Sequence, residues 1–157
     1  MRAPRVYIDS CVYGGAFDEE FAFATTRFFG EVRSGSFHLI VSALVQDELS
    51  AAPPRVNDLF VDMLEWTTVA PVSAEALDLQ QAYLSAGILT PKWAADALHV
   101  AMATVADCSL IVSWNFRHIV HFEKIPQYNA VNGRYGYRPL AIYSPLEVIR
   151  YGEEKEF

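Results

Sequence analysis

Val6-Tyr7-Ile8-Asp9-Ser10 is the stretch on which the fold turns. Three consecutive apolar, β-prone residues end abruptly on a carboxylate and a hydroxyl. A run this short and this apolar reads as a strand covered on both faces, the condition of strands in parallel sheets. The pattern returns down the chain. Phe37 to Val41 reads as a second strand ended by Ser42, Thr67 to Val72 as a third, Ser109 to Trp114 as a buried strand followed by Asn115, and Leu140 to Tyr143 as the last.

The segments between them carry helical signals. Asp18 is placed to cap a helix in which Phe21, Phe28 and Val32 recur at helical spacing, with Gly35 closing the unit. Ser42 caps a helix that carries Gln46, Asp47 and Glu48, and Pro53-Pro54 stops it. Val56 to Leu64 resumes as a short helix. Ser73 opens another, with Ala76, Leu79, Gln80 and Tyr83 on one side and Gly87 at its end. Thr90-Pro91, a hydroxyl before a proline at the first helical position, starts a helix running through Asp96 to about Ala106. Ser144-Pro145-Leu146-Glu147 has the form of a capping box. Strands alternating with helices give an α/β fold of three layers, α/β/α, around a central, mostly parallel sheet.

Composition sets the outer limits. The 157 residues are 52% hydrophobic and 20% charged, which suits one globular domain over residues 1–157. The net charge of −7 argues against non-specific adhesion to nucleic acid, which depends on Lys and Arg. It leaves room for an enzyme acting on nucleic acid, because a carboxylate cluster that binds a cation itself adds negative charge. Cys11 and Cys108 form no CxxC pattern and read as reduced core thiols. The opening MRAPRVYIDS has no apolar signal core, and the longest apolar stretch, Trp93 to Val112, is broken by Asp96, His99 and Asp107. The expectation is a cytoplasmic protein without a membrane span.

Ligands of open α/β sheets sit beyond the carboxyl ends of the strands. Asp9 stands at such an end, as either a ligand or a turn-forming aspartate. Glu48 lies about a turn into the helix after the second strand, on a site or on a solvated face. Asp96 is set in Ala94-Ala95-Asp96-Ala97-Leu98, where an unpaired buried carboxylate would cost several kcal/mol; Lys92 at i−4 is its local partner if no cation is. Asn115 follows the strand at Ser109 to Trp114, as an uncharged oxygen ligand or a turn residue. Together, three acids and an amide from four distant segments suit a hard divalent cation, Mg2+ or Mn2+.

The segments VYIDSCVYGGAF, LIVSALVQDEL, DALHVAMA and LIVSWNFRHI, in that order over roughly residues 6 to 120, resemble the PIN-domain family, and more narrowly the toxin-type (VapC-like) PIN ribonucleases of bacteria. The ending GYRPLAIYSPLEVI resembles a subset of these proteins. The resemblance places the family's first acid on Asp9, its helical acid on Glu48, its third acid on Asp96 and its fourth acidic position on Asn115. Ser10 and Ser113 fall on its small-hydroxyl positions. It implies a metal-dependent endoribonuclease leaving a 5′-phosphate and a 3′-hydroxyl, with Asp9, Asp96 and Glu48 around Mg2+ or Mn2+. It further implies an RNA substrate, an antitoxin protein partner and a homodimer. Asn115 in place of an acid removes one negative charge and puts a two-metal mechanism in question.

Ser10, Ser113 and Arg117 are candidate RNA contacts. His99 shares a helix face with Asp96 and reads more readily as a hydrogen-bonded core residue. His118 and His121 have helical spacing, but no Cys or third His stands near them in sequence to complete a zinc site. The Tyr- and Arg-rich stretch Pro126 to Pro139 reads as a packed loop or an interface before it reads as an RNA-binding surface. The competing class is a PIN-like RNA-binding or protein-interaction module with weak catalysis, for which Asn115 is the motive. A haloacid-dehalogenase-like phosphatase would need a second Asp where Cys11 stands, and no GxGxxG follows the first strand to bind a dinucleotide.

Overall fold

The computed structural model describes residues 2–150. In chain order its elements are β1 (Arg5–Ile8), α1 (Ser10–Gly15), α2 (Ala22–Arg33), β2 (His38–Ser42), α3 (Ala43–Ser50), α4 (Pro54–Met63), β3 (Thr67–Ala70), α5 (Ala74–Ser85), α6 (Ala94–Val105), β4 (Leu110–Val112), α7 (Lys124–Arg134), β5 (Ala141–Tyr143) and α8 (Pro145–Val148). All four strand pairings are parallel, in the order β3-β2-β1-β4-β5. The sheet expected to be mostly parallel is thus wholly so.

The order fixes where a site can form. From β1 the chain steps outward to β2 and β3; after α5 and α6 it crosses back to β4 and then steps the other way to β5. Right-handed crossovers then put α1 to α4 on one face of the sheet and α5 to α7 on the other. The direction of winding reverses between β1 and β4, so a crevice opens beyond their carboxyl ends. β1 is the central strand, and Val6, Tyr7 and Ile8 are completely buried. α6, which carries Asp96, packs across β1, β2 and β4.

Local chemistry explains most boundaries. Ser42 Oγ accepts the Val45 N–H at the start of α3, and Ser73 Oγ accepts the Ala76 N–H at the start of α5. Gly87, at φ +79°, ends the α5 unit in the left-handed region that glycine enters without steric cost. Ser144 N–H donates to Glu147 Oε1 (2.8 Å) in front of α8.

Other expectations are corrected. Asp18 does not cap α2: its carboxylate takes the Glu20 N–H in a turn, and the helix begins at Ala22. Thr90 makes no side-chain cap either, since Pro91–Trp93 is a 3-10 turn and α6 starts at Ala94. Residues 124–134, which overlap the stretch Pro126 to Pro139 read as a packed loop or an interface, form α7, which buries Tyr128, Val131 and Asn132. Among the described residues, no helix is long and apolar enough to cross a membrane. Both cysteines are free; Cys108 is buried, while Cys11 on α1 is an exposed residue whose thiol is turned inward against Asp9 and Ser113 rather than packed in the core.

Candidate active site

Asp9 is the first residue beyond β1 and is 4% exposed. Ser113 Oγ, from the end of β4, donates to Asp9 Oδ2 at 2.9 Å and accepts the Asn115 N–H at 2.9 Å. The bond crosses the crevice between the two strands at which winding reverses. Cys11 Sγ donates to Asp9 Oδ1 at 3.0 Å. Burial pushes this thiol well up, and the neighbouring carboxylate adds to the effect, so it stays a donor. The same burial raises the Asp9 carboxyl above its ordinary value; the charge of Asp96 adds to the rise, while His99, Cys11 and Ser113 hold it back. Among the described residues, no Lys or Arg forms an ion pair with Asp9, Glu48 or Asp96.

Glu48 projects from α3 with about a third of its side chain exposed. Its Oε1 is the meeting point of Ser10 Oγ (2.9 Å) and His99 Nε2 (2.9 Å). His99 is buried, and its Nδ1 lies 2.8 Å from Tyr7 Oη, which in turn lies 2.8 Å from Ser42 Oγ. Because an ionised carboxylate only accepts, it is a proton on Nε2 that faces Glu48. Ser42 is also the cap of α3, so the hydrogen bonds form a closed circuit around the helix that presents Glu48. Burial pushes Glu48 up, but the hydrogen bond and charge of His99, with the Ser10 hydroxyl, outweigh it and hold the carboxyl below its ordinary value.

Asp96 lies in the first turn of α6, where the helix dipole favours an acid. Lys92 is not its partner; that ammonium lies over the Trp93 ring, 5.0 Å from the centroid. Asp96 Oδ2 instead meets His118 Nδ1 at 2.8 Å. His118 is buried and fixed on three further sides: its N–H donates to Asn115 Oδ1, its carbonyl accepts from Tyr128 Oη (2.7 Å), and its ring packs 4.4 Å from Trp93.

The solved structure of VapBC2 from Rickettsia felis bound to a DNA fragment from its promoter has a similar fold. The match spans 89% of this chain and 98% of that one, with a TM-score of 0.53 and 12% identity. At that identity the likeness is one of fold. No family model matches the sequence, and no curated protein matches it.

Of the residues singled out from sequence, Asp9, Ser10, Glu48, Asp96, Ser113 and Asn115 all join networks at the carboxyl edge of the sheet. Ser10 and Ser113 hold carboxylates, and Ser113 is completely buried, leaving it no surface for RNA. Asn115 Oδ1 serves the backbone turn that places His118. Arg117 is exposed, with its guanidinium 5.7 Å from the centre of the Trp93 ring. His121 accepts the Glu123 N–H and stacks on Phe122. The residues set aside that belong here are His99 and His118. The sequence signal for His99 was its place three residues after Asp96; for His118 there was none, because its partner is 22 residues away.

The donors suit a hard cation in kind, all being carboxylate oxygens around a buried charge that has only neutral close donors. Among the described residues, no group of three or more His, Cys, Asp or Glu side chains is placed to hold a metal ion. Mg2+ does not need such a group, because it is usually held through one or two carboxylates plus waters and substrate phosphate.

Proposed function

We propose that the chain is a divalent-metal-dependent endoribonuclease of the PIN type, using Mg2+ or Mn2+. The observation that carries this reading is Asp9: a buried carboxylate at the tip of the central strand, within electrostatic reach of Asp96, with neutral hydroxyl and thiol donors and no Lys or Arg ion pair among the described residues. A carboxylate kept there against the cost of desolvation calls for a cation. Asp9 and Asp96 would hold the ion, with Glu48 at its edge; such an ion supplies positive charge at the scissile phosphate and lowers the pKa of a water.

The side chains do the remaining work. Glu48, held ionised by His99 and Ser10, orients the attacking water and takes its proton. Ser113 and Cys11 fix both oxygens of Asp9, and His118 fixes Asp96, so neither must reorganise when substrate arrives. Asn115 is neutral, leaving charge for one well-held ion. The sequence resemblance to toxin-type PIN proteins, together with the fold shared with VapBC2, supports a toxin silenced by an antitoxin protein in the cytoplasm, acting as a homodimer.

Asn115 also favours a second reading, a PIN-like RNA-binding or protein-interaction module with weak catalysis, because its carboxamide oxygen already serves the backbone of His118. One experiment separates the two: labelled RNA incubated with Mg2+, Mn2+ or EDTA. The nuclease reading expects metal-dependent cleavage that Asp9→Asn and Asp96→Asn each abolish. Full activity in either variant would overturn the site assignment, and binding without cleavage in both metals would favour the module.

A further inference from the structure

Beyond His118 the surface opens into a groove of about 420 Å3, lined by Ile88, Thr90, Trp93, Arg117, His118 and Lys124 among others. That volume falls within the roughly 300–1,000 Å3 of small-ligand sites. We propose that this groove is a subsite for one unpaired nucleotide of the substrate strand, with Trp93 stacking on its base and Arg117 and Lys124 meeting its phosphate.

Several observations converge on that ligand. The protein carries a net charge of −7, yet this groove gathers Arg117 and Lys124 against Glu123 alone among acids. Trp93 is half-buried, and its ring and that of His118 form a continuous aromatic wall, with centroids 4.4 Å apart. The two cations over the indole, Lys92 and Arg117, sit on exposed side chains that can swing from ring to phosphate. Thr90 makes no helix cap, which leaves its hydroxyl for a ligand. The wall leads directly to the candidate metal centre, since His118 Nδ1 bonds Asp96 Oδ2. Aromatic rings beside phosphate-binding cations are how proteins hold single strands, and a base paired within a duplex cannot present its face to an indole. The inference rests on the nuclease reading and adds to it a base-holding subsite built on Trp93, Arg117 and Lys124.

The test measures binding by fluorescence anisotropy in EDTA, so that nothing is cut. The probes are a labelled single-stranded RNA hexamer and the same hexamer annealed to its complement. Trp93→Ala is expected to weaken single-strand binding roughly 5- to 150-fold and to leave duplex binding unchanged. Arg117→Ala, a surface change, weakens it less, and Trp93→Phe retains most of it. Wild-type affinity in both Trp93→Ala and Arg117→Ala, or no single-strand binding by the wild type, overturns the subsite. If those variants bind normally while the wild type cuts RNA, the subsite fails and the nuclease reading stands. If they lose binding while the wild type cuts nothing in Mg2+ or Mn2+, the subsite stands and the nuclease reading fails.

Discussion

His118 Nδ1 stands 2.8 Å from Asp96 Oδ2, and that contact orients the carboxylate that sequence proximity would have given to Lys92. Partners that orient a metal-binding group commonly change metal affinity 10- to 100-fold when removed. His118→Ala should therefore weaken Mn2+ or Mg2+ binding by roughly that factor in a calorimetric titration. His118→Asn, whose amide can replace the Nδ1 donor, should recover most of it. Unchanged affinity in His118→Ala would show that the contact does not position Asp96 for a metal.

The raised Asp9 carboxyl makes a statement about stability. A carboxyl whose folded-state pKa lies above its unfolded value favours the fold when protonated, and that contribution is lost as pH rises through the folded value. At neutral pH without metal, ionised Asp9 thus opposes folding. Asp9→Asn should raise Tm in EDTA at pH 7, with the gain shrinking as pH falls. Mg2+ should raise the Tm of the wild type and not of the variant. A lower Tm for Asp9→Asn at pH 7 in EDTA would contradict this account.

Glu48 has the opposite sign. Its carboxyl is held below the ordinary value by His99 and Ser10 against the effect of burial, so its contribution is present above the unfolded pKa and fades as pH falls through the folded one. His99→Phe removes the dominant support. The Glu48 resonance should then titrate at higher pH by NMR, and the acid limb of any cleavage profile should move the same way. An unmoved Glu48 titration would disconnect the two residues.

Tyr13 is completely buried between Phe29 and Phe60, and its hydroxyl is the one buried side-chain polar atom without a partner among the described residues. Removing that oxygen removes a desolvation cost and leaves the rings in place. Tyr13→Phe should increase stability by ~1 kcal/mol in urea denaturation, and a loss of stability would reveal a partner for the hydroxyl.

Gly15 and Gly14 separate packing from propensity. A Cβ on Gly15 would come within 2.7 Å of Trp114 Nε1 and 2.8 Å of Thr25 Oγ1, two atoms joined by a 2.9 Å hydrogen bond. Gly15→Ala should cost about 1–3 kcal/mol. A Cβ on Gly14 meets nothing within 4 Å, so Gly14→Ala should be neutral or stabilising. Equal effects of the two substitutions on Tm would discredit the close approach to Trp114.

The parallel sheet was legible because Val6 to Ile8 and Ser109 to Trp114 are apolar runs with no alternation, which only a doubly covered strand needs. The acids were legible because Asp9 ends one of those runs and Asp96 interrupts a buried helix. What stayed hidden is what one segment does to another. Asp18 is a good cap residue, but its side chain closes a turn first. The helix at Lys124–Arg134 contains Pro126 and Gly133, which weaken its propensity; burial of Tyr128, Val131 and Asn132 against the rest of the fold overrides that. His99 reads as a core histidine and is buried as one, and His118, weighed only as half of a zinc pair, is buried too, yet each also touches a site carboxylate. Burial and site contact are not alternatives when the site lies against the core.

The pairing of β1 with β4 also has a consequence for the order in which the protein is made. Asp9 is synthesised well before its fixing partner: the Ser113 hydroxyl comes 104 positions later, and the His118 that fixes Asp96 later still. Until then the central strand lacks one neighbour, and Asp9 has no wall on that side. A chain still emerging from the ribosome therefore cannot hold this centre together. Whatever chemistry the finished protein performs is withheld from the nascent one by topology alone.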